Sequence, residues 1–390
     1  MSELRELLEL WNKAHARGEE VVLVTVVSVE GSSYRKPGAR MLISKSGQRS
    51  GMVSGGCLEA EVSRKAWWLT GDGPSIQRYG TFFDEDNPSP QSLGCGGTVH
   101  LLLERGDSAA PVLETIRTAA ENRFAFALLT VIRSDNPQLG IGARLAVREN
   151  HEILSSSISL EEGCPQRGRL LEVAAHALAL RRSNYATIRC GGNEIEFFVE
   201  YIAPPPALFV FGAGDDAIPL VELAYMMGWH ITVADARSHL ATAARFSRAD
   251  QLVVLKNNAE ATNGRGSFDL CDLALGPNDS AVIMTHSYMQ DRALLRQLLP
   301  LDLSYLGILG PRLRTSRLLT EVLTETGMTL EECTRKLHSP VGIDIGANNP
   351  AGIALSIVAE VQASLHARSG AVARQSFFDF APTHSAKLHA

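Results

Sequence analysis

The chain of 390 residues has six cysteines, yet it lacks any CxxC pair or the Cys/His spacing of a zinc centre. That excludes a disulfide framework and a structural metal site, and leaves free thiols. Long apolar runs are missing too. No segment reaches the length of a bilayer span, and the opening MSELRELLELWNKAHARGE is a charged amphipathic helix rather than a signal peptide. The expected location is cytoplasmic. Cations are not clustered: 37 Lys and Arg stand against 43 Asp and Glu, for a net charge of -6, so the footprint of a nucleic-acid binder is absent. No nucleophile triad is recognisable. What remains is a globular composition, 45% hydrophobic, long enough for two or three domains.

One signal is present twice. Cys95-Gly96-Gly97 and Cys190-Gly191-Gly192 are each followed by an alternating apolar strand. Each is preceded by an apolar strand that leads to Gly-Ala-Arg: VVLVTVV before Gly38-Ala39-Arg40, and FALLTVI before Gly142-Ala143-Arg144. The amino half is therefore expected to hold two related modules, about residues 1–107 and 108–203. Their contents differ. The first carries GSSYRKPGARM and SGGCLEAEV; the second carries SDNPQLGIGARL and a plain helical run, LLEVAAHALAL. Function is expected in the first module, with the second supporting it.

Ala203-Pro204-Pro205-Pro206 marks a domain boundary, since prolines cannot donate into a central strand. Before it, residues 20–28, 40–44, 98–104, 125–132, 185–190 and 195–201 read as strands, and 3–16, 57–70, 111–121 and 168–181 as helices. This is an α+β domain, residues 1–203. After it, short and fully apolar strands (ALFVFG, HITVAD, QLVVL, AVIMTH, YLGILG) alternate with helical segments, which predicts a Rossmann-like, doubly wound parallel sheet over residues 204–370. Its last helix starts at Asn349-Pro350, and residues 371–390 read as an irregular tail.

Several constellations could carry chemistry. Gly212-Ala213-Gly214 follows a strand and opens a helix, and the next strand ends at Asp235, in the arrangement where the glycines admit a pyrophosphate and the acid takes a ribose hydroxyl. Asp215 and Asp216 oppose this, because they put negative charge where a phosphate would bind; helix stabilisation and nucleotide binding both stay open. Ser54-Gly55-Gly56-Cys57-Leu58-Glu59 sits at another strand-to-helix junction, where Cys57 is either a reactive thiol or soft metal contact, or a small buried hydrophobe. Arg35, Lys36 and Arg40, with Ser32 and Ser33, lie in a glycine-shaped loop that suits an anionic ligand, or serves as a solvated hairpin tip. His286 follows the strand AVIMT, and Gly310, Arg312 and Arg314 follow YLGIL, at the ends where open α/β sheets place ligands. His286 is a candidate acid/base or anchor, or a residue satisfying backbone groups. Gly342-Ile343-Asp344 forms one more turn.

In order along the chain, GSSYRKPGARM, SGGCLEAEV, LGCGGTVHLLLE, FVFGAGDDA, VADAR, VIMTHSYMQDRALL, YLGILGPRLR and PVGIDIGANNPAGIALSIVAE resemble the XdhC/CoxI family of xanthine dehydrogenase accessory proteins. The resemblance implies a molybdenum-cofactor chaperone that holds molybdopterin, in its plain or dinucleotide form, between two domains and delivers it to a molybdenum hydroxylase apoenzyme. A cysteine desulfurase is the expected second partner, and a homodimer is the state expected of a handover protein. The residues it assigns to the cofactor are Ser32, Ser33, Arg35, Arg40, Ser54, Gly55, Gly56, Cys57, Glu59, Cys95 and Gly96 in the first domain. In the second they are Gly212, Gly214, Asp235, Arg237, His286, Gly310, Arg312 and Asp344. Two departures weaken an anion site there: Asp215 stands where family members commonly have histidine, and Pro311 where they have serine. The competing reading is an NAD(P)-dependent oxidoreductase with His286 as proton donor.

Overall fold

The structure is a computed structural model that describes residues 2–80, 97–158, 165–190, 192–256 and 267–368. The chain divides into two compact units, Met1–Pro205 and Pro206–Ala390. Cys95, Gly96 and the 371–390 tail lie outside the described residues.

In the first unit, α1 (Ser2–Ala16) precedes β1 (Val21–Glu30), β2 (Arg40–Ser44), β3 (Arg49–Gly51), α2 (Cys57–Leu69), β4 (Ser75–Gly80) and β5 (Thr98–Arg105). The same succession then repeats as α3 (Ala110–Glu121), β6 (Phe126–Ser134), β7 (Arg144–Arg148), β8 (Ile153–Ser156), α4 (Pro165–Leu180), β9 (Asn184–Cys190) and β10 (Asn193–Ile202). The sheets are ordered β3-β2-β1-β5-β4 and β8-β7-β6-β10-β9, one order used twice. Even the turns agree: Gly38 and Ala39 bond Val26 as Gly142 and Ala143 bond Val131, at 2.8–2.9 Å.

Alternation along the central strands sorts the core. Val22, Val24 and Val26 of β1 meet Leu58, Val62 and Ala66 of α2, spaced four apart on one helical face. Val21 and Leu23 point the other way, into a core shared with Phe126 and Leu128 of β6 and with α1 and α3. Ala127, Leu129 and Val131 of β6 meet Leu170, Ala174 and Ala177 of α4. Each such buried side chain of Val or Leu size contributes about 1.5–3 kcal/mol relative to exposure.

The second unit runs β11 (Ala207–Phe211), α5 (Ala217–Met226), β12 (His230–Asp235), β13 (Gln251–Val254), β14 (Asp279–Ile283), α6 (Tyr288–Leu298), β15 (Tyr305–Ile308), α7 (Arg312–Thr326), α8 (Leu330–Lys336), β16 (Leu337–His338) and α9 (Pro350–Leu365). Among the described residues β11 to β16 pair in parallel, in the order β13-β12-β11-β14-β15-β16. Leu208 and Val210 face α5 and α9, while Phe209 and Phe211 face α6 and α7, so a fully apolar strand is buried on both sides. This is a Rossmann-type sheet, and its strand order reverses between β11 and β14.

Candidate functional site

Register gathers the special residues of the first module at one end of its sheet. Glu30 pairs with Thr98, Gly80 with Thr98, and Met41 with Gly51. Segments 31–39 and 52–56 and residue Gly97 therefore leave the sheet together. Contacts agree: a Cβ on Gly97 would overlap the Ser32 carbonyl oxygen, and the Tyr34 ring lies 3.9 Å from the Cβ position of Gly55. Ser32, Tyr34, Gly55 and Gly56 are exposed and Ser33 is half-buried. Gly56 caps α2 at φ 113°, leaving Cys57 as the first helical residue.

Ser54 and Glu59 are buried beneath this surface and engaged with each other. Glu59 accepts from the Ser54 hydroxyl at 2.6 Å and from the Ser54 and Val53 amides at 2.7 and 3.1 Å. Burial would raise its carboxyl, but those donors outweigh burial and hold it below its ordinary value. The Ser54 oxygen in turn accepts from the Gly56 and Leu58 amides, both at 3.2 Å. These two residues shape the turn that bares Gly55 and Gly56.

The arginines of the loop are placed differently from the anion donors expected of them. Arg35 forks onto Glu3 of α1. Arg40 forks onto Glu200 of β10 at 2.8 and 2.5 Å, with both side chains about nine-tenths buried. Neither Glu3 nor Glu200 is among the residues the sequence marks for the site. Both guanidinium groups are thus already engaged by carboxylates.

A cavity of about 440 Å³ opens in the second module instead, against Gly142 and Arg144 and lined by Ser108, Gln138 and Ser155 to Ser157. Its one cation, Arg144, already forks onto Glu104, so the space has no charge to offer an anion. Size alone does not make it the site.

In the second unit, the parallel register brings the residues after β11, β12, β14, β15 and β16 to one sheet edge. Gly212, at φ +123°, lies so close to the Met284 carbonyl that only glycine fits. Asp235 is buried at 1% exposure, and its expected ribose-facing role is not what the geometry gives. One oxygen accepts from the Arg237 amide and Nε at 2.8 and 2.9 Å; the other accepts from the Ala213 amide and Arg237 Nη2 at 2.7 and 2.8 Å. Despite its burial, these donors hold the carboxyl below its ordinary range, with Arg237 the strongest.

His286, in the left-handed region at φ 62°, contacts Asp216 through Nε2 at 2.8 Å. The other Asp216 oxygen lies 2.6 Å from the Cβ position of Gly214, so a carboxylate covers the glycine that a pyrophosphate would approach. Asp215 is exposed and paired with Arg245 at 2.7 Å. Beyond β15, Arg314 crosses Gly310 to reach buried Asp291 at 2.6 Å, and Arg312 is exposed at the first position of α7. Asp344 is exposed and accepts weakly from the Gly346 amide at 3.3 Å. The neighbouring turn is held by Glu360, which accepts from Tyr305, His338 and the Gly342 amide. Among the described residues there is no group of three His, Cys, Asp or Glu side chains able to hold a metal ion, and no helix long and apolar enough to cross a membrane.

Comparison with known proteins agrees with this architecture. Residues 208–361 match the XdhC Rossmann domain, and residues 14–80 match the XdhC and CoxI family. A Bacillus subtilis protein described as a probable subunit of xanthine dehydrogenase is 31% identical over 346 residues, which is 88% of this chain and 92% of the relative. The molybdenum cofactor insertion chaperone PaoD of Escherichia coli is 26% identical over 92% of this chain and 87% of its own. A crystal structure described as a xanthine dehydrogenase from Bacillus halodurans superposes with a TM-score of 0.69 at 26% identity, covering 96% of this chain and 98% of that one. On its sequence, its paired sheets and its Rossmann unit, the chain belongs to the XdhC and CoxI family.

Proposed function

We propose that the protein binds the molybdenum cofactor as cargo and delivers it to a xanthine dehydrogenase-type molybdenum hydroxylase. The observation that carries this reading is the bare surface at the start of α2, where exposed Gly55 and Gly56 precede Cys57 and the Tyr34 ring of loop 31–39 lies 3.9 Å from the Cβ position of Gly55. Backbone amides at a helix start and hydroxyls suit phosphate oxygens, and a helix start favours a thiolate, a soft donor suited to molybdenum. The donor set thus fits a phosphorylated, metal-bearing pterin. The likeness to an insertion chaperone and to a protein named for xanthine dehydrogenase supports the same assignment.

On this reading Ser54 and Glu59 keep the turn open, while Gly55, Gly56, Ser32, Ser33 and Cys57 hold the cargo. A cysteine desulfurase and the apoenzyme are the expected protein partners, and a dimer the expected state for handover. In the second unit, the saturated Asp235 and the Asp216 carboxylate over Gly214 speak against NAD(P). Release to a client then needs no chemistry from this chain, only competition for the same donors.

The test is to purify the protein anaerobically from cells that make the cofactor, then measure molybdenum and the fluorescence of the oxidised pterin. Near-stoichiometric loading that falls in Cys57→Ala is expected. Loading no higher than in Cys57→Ala, or micromolar binding of NADH or NADPH in a fluorescence titration, would count against the reading.

A further inference from the structure

The two modules of the first unit are fastened by a crossed pair of ion pairs. Arg40, at the start of β2, forks onto Glu200 of β10 in the second module. Arg144, at the start of β7, forks in the same way onto Glu104 of β5 in the first. The acids are equivalent by register, since Leu23 pairs with Glu104 and Leu128 with Glu200. So are the arginines, opposite Thr25 and Thr130.

The two clamps differ in one respect. Arg144 Nε also donates to Thr130 Oγ1 at 3.2 Å. Their counterparts, Arg40 Nε and Thr25 Oγ1, are both buried and have no partner. In the first module the arginine is therefore seated by Glu200 with less help from its own sheet.

Glu200 also reaches the loop itself. Its Oε1 lies 2.7 Å from the Cβ position of Gly38, whose φ is +96°, so only glycine lets the acid come so near. Arg40 Nη1 donates to the Gly38 carbonyl at 2.9 Å, tying arginine, acid and turn together. The Tyr185 hydroxyl, also from the second module, donates to the Val27 carbonyl at 3.0 Å, next to the bulge in β1.

We infer that Glu200 is a positioning residue: through Arg40 and Gly38 it holds loop 31–39 in its ligand-receiving shape, and the second module serves as the brace for the first. That the loop receives the cofactor rests on the function proposed above; that Glu200 orders the loop does not. The internal repeat supplies a matched control. Glu104 is fully buried, so its replacement perturbs the unit at least as much, yet it faces the loop of the second module.

The experiment compares Glu200→Gln with Glu104→Gln in the full chain, by hydrogen–deuterium exchange and by molybdenum content after purification from cofactor-producing cells. Glu200→Gln is expected to speed exchange across 31–39 and to lower molybdenum by about tenfold or more, the usual effect of losing a residue that orients a ligand-bearing group. Glu104→Gln is expected to speed exchange across 135–142 and to keep wild-type exchange at 31–39 and wild-type molybdenum. Unchanged exchange at 31–39 in Glu200→Gln, or equal loss of molybdenum in both variants, overturns the inference. If the wild type itself carries no molybdenum, the function proposed above fails, and the exchange comparison still decides the brace. Should Glu200→Gln not accumulate folded, Glu200→Asp, which keeps the charge and shortens the reach, carries the same test.

Discussion

Neutralising Glu104 should expose how much the crossed ion pairs matter to stability. The carboxylate is 0% exposed and Arg144 8%, and the guanidinium also faces the carbonyls of Gly142 and Ser108. Removing one partner of such a pair strands the other, at about 3–5 kcal/mol. Glutamine keeps one acceptor but turns an amide toward the cation, so Glu104→Gln should sit near the low end, about 3 kcal/mol. Glu200→Gln should lose less, about 2 kcal/mol, because its pair is 9–11% exposed and water can partly replace the acid. Removing both charges is different. Arg144→Met with Glu104→Leu should fall within about 1–2 kcal/mol of wild type, since neither desolvated charge remains. Urea melts followed by tryptophan emission report on this unit, which holds Trp11, Trp67 and Trp68 of the four tryptophans. With a slope of about 2 kcal/mol per molar, 3 kcal/mol moves the midpoint by about 1.5 M. A loss below about 1 kcal/mol in Glu104→Gln, or a double variant as unstable as the summed singles, would refute the account.

Three further outcomes are expected. Asp235, Glu59 and Glu360 all have folded pKa values below their ordinary ones, so the stability they contribute is full above about pH 5 and is lost as pH falls through the lowered values. Melting temperatures between pH 7 and 3 should drop for the wild type and drop less for Asp235→Asn; equal slopes would contradict this. Tyr305→Phe removes a 2.5 Å donor to Glu360 from a side chain 1% exposed, and should cost about 1–2 kcal/mol by denaturation, with faster exchange at the Gly342 turn. Gly97→Ala must push the Ser32 backbone aside, so it should disturb loop 31–39 in exchange measurements while leaving the second unit at wild-type rates.

The elements that were legible in the sequence are those whose periodicity is strong. β1 and β6, with apolar runs ahead of Gly-Ala-Arg, and the apolar strands β11, β12, β14 and β15 fall within a few residues of expectation. β3, β4 and β8 did not stand out, because RSG is three residues long and SIQRYG and ILSS are only half-buried, with no clean alternation. β16 has two residues and carries no pattern at all. At the candidate site, the glycines and the Cys57 helix start were readable because they are local. The partners of Arg40 and Asp235 were not, since a long side chain can find an acid 160 positions away, or turn back onto its own strand end. A signal did exist for Glu200 and Glu104. Each is an acid that directly follows an apolar run, FFVEY and HLLLE, and a carboxylate buried there requires a cation.

The reciprocity of Arg40 with Glu200 and Arg144 with Glu104 is what an isologous interface looks like, where residue i of one copy meets j of the other and j meets i. Joined in one polypeptide, the repeat holds within one chain the reciprocal contacts that two separate copies would share. Linkage frees each half from having to satisfy both roles, so one half can keep a ligand-facing loop while the other drifts toward pure scaffolding. Neither half covers its own apolar face, because Val21 and Leu23 of one pack in a single core with Phe126 and Leu128 of the other.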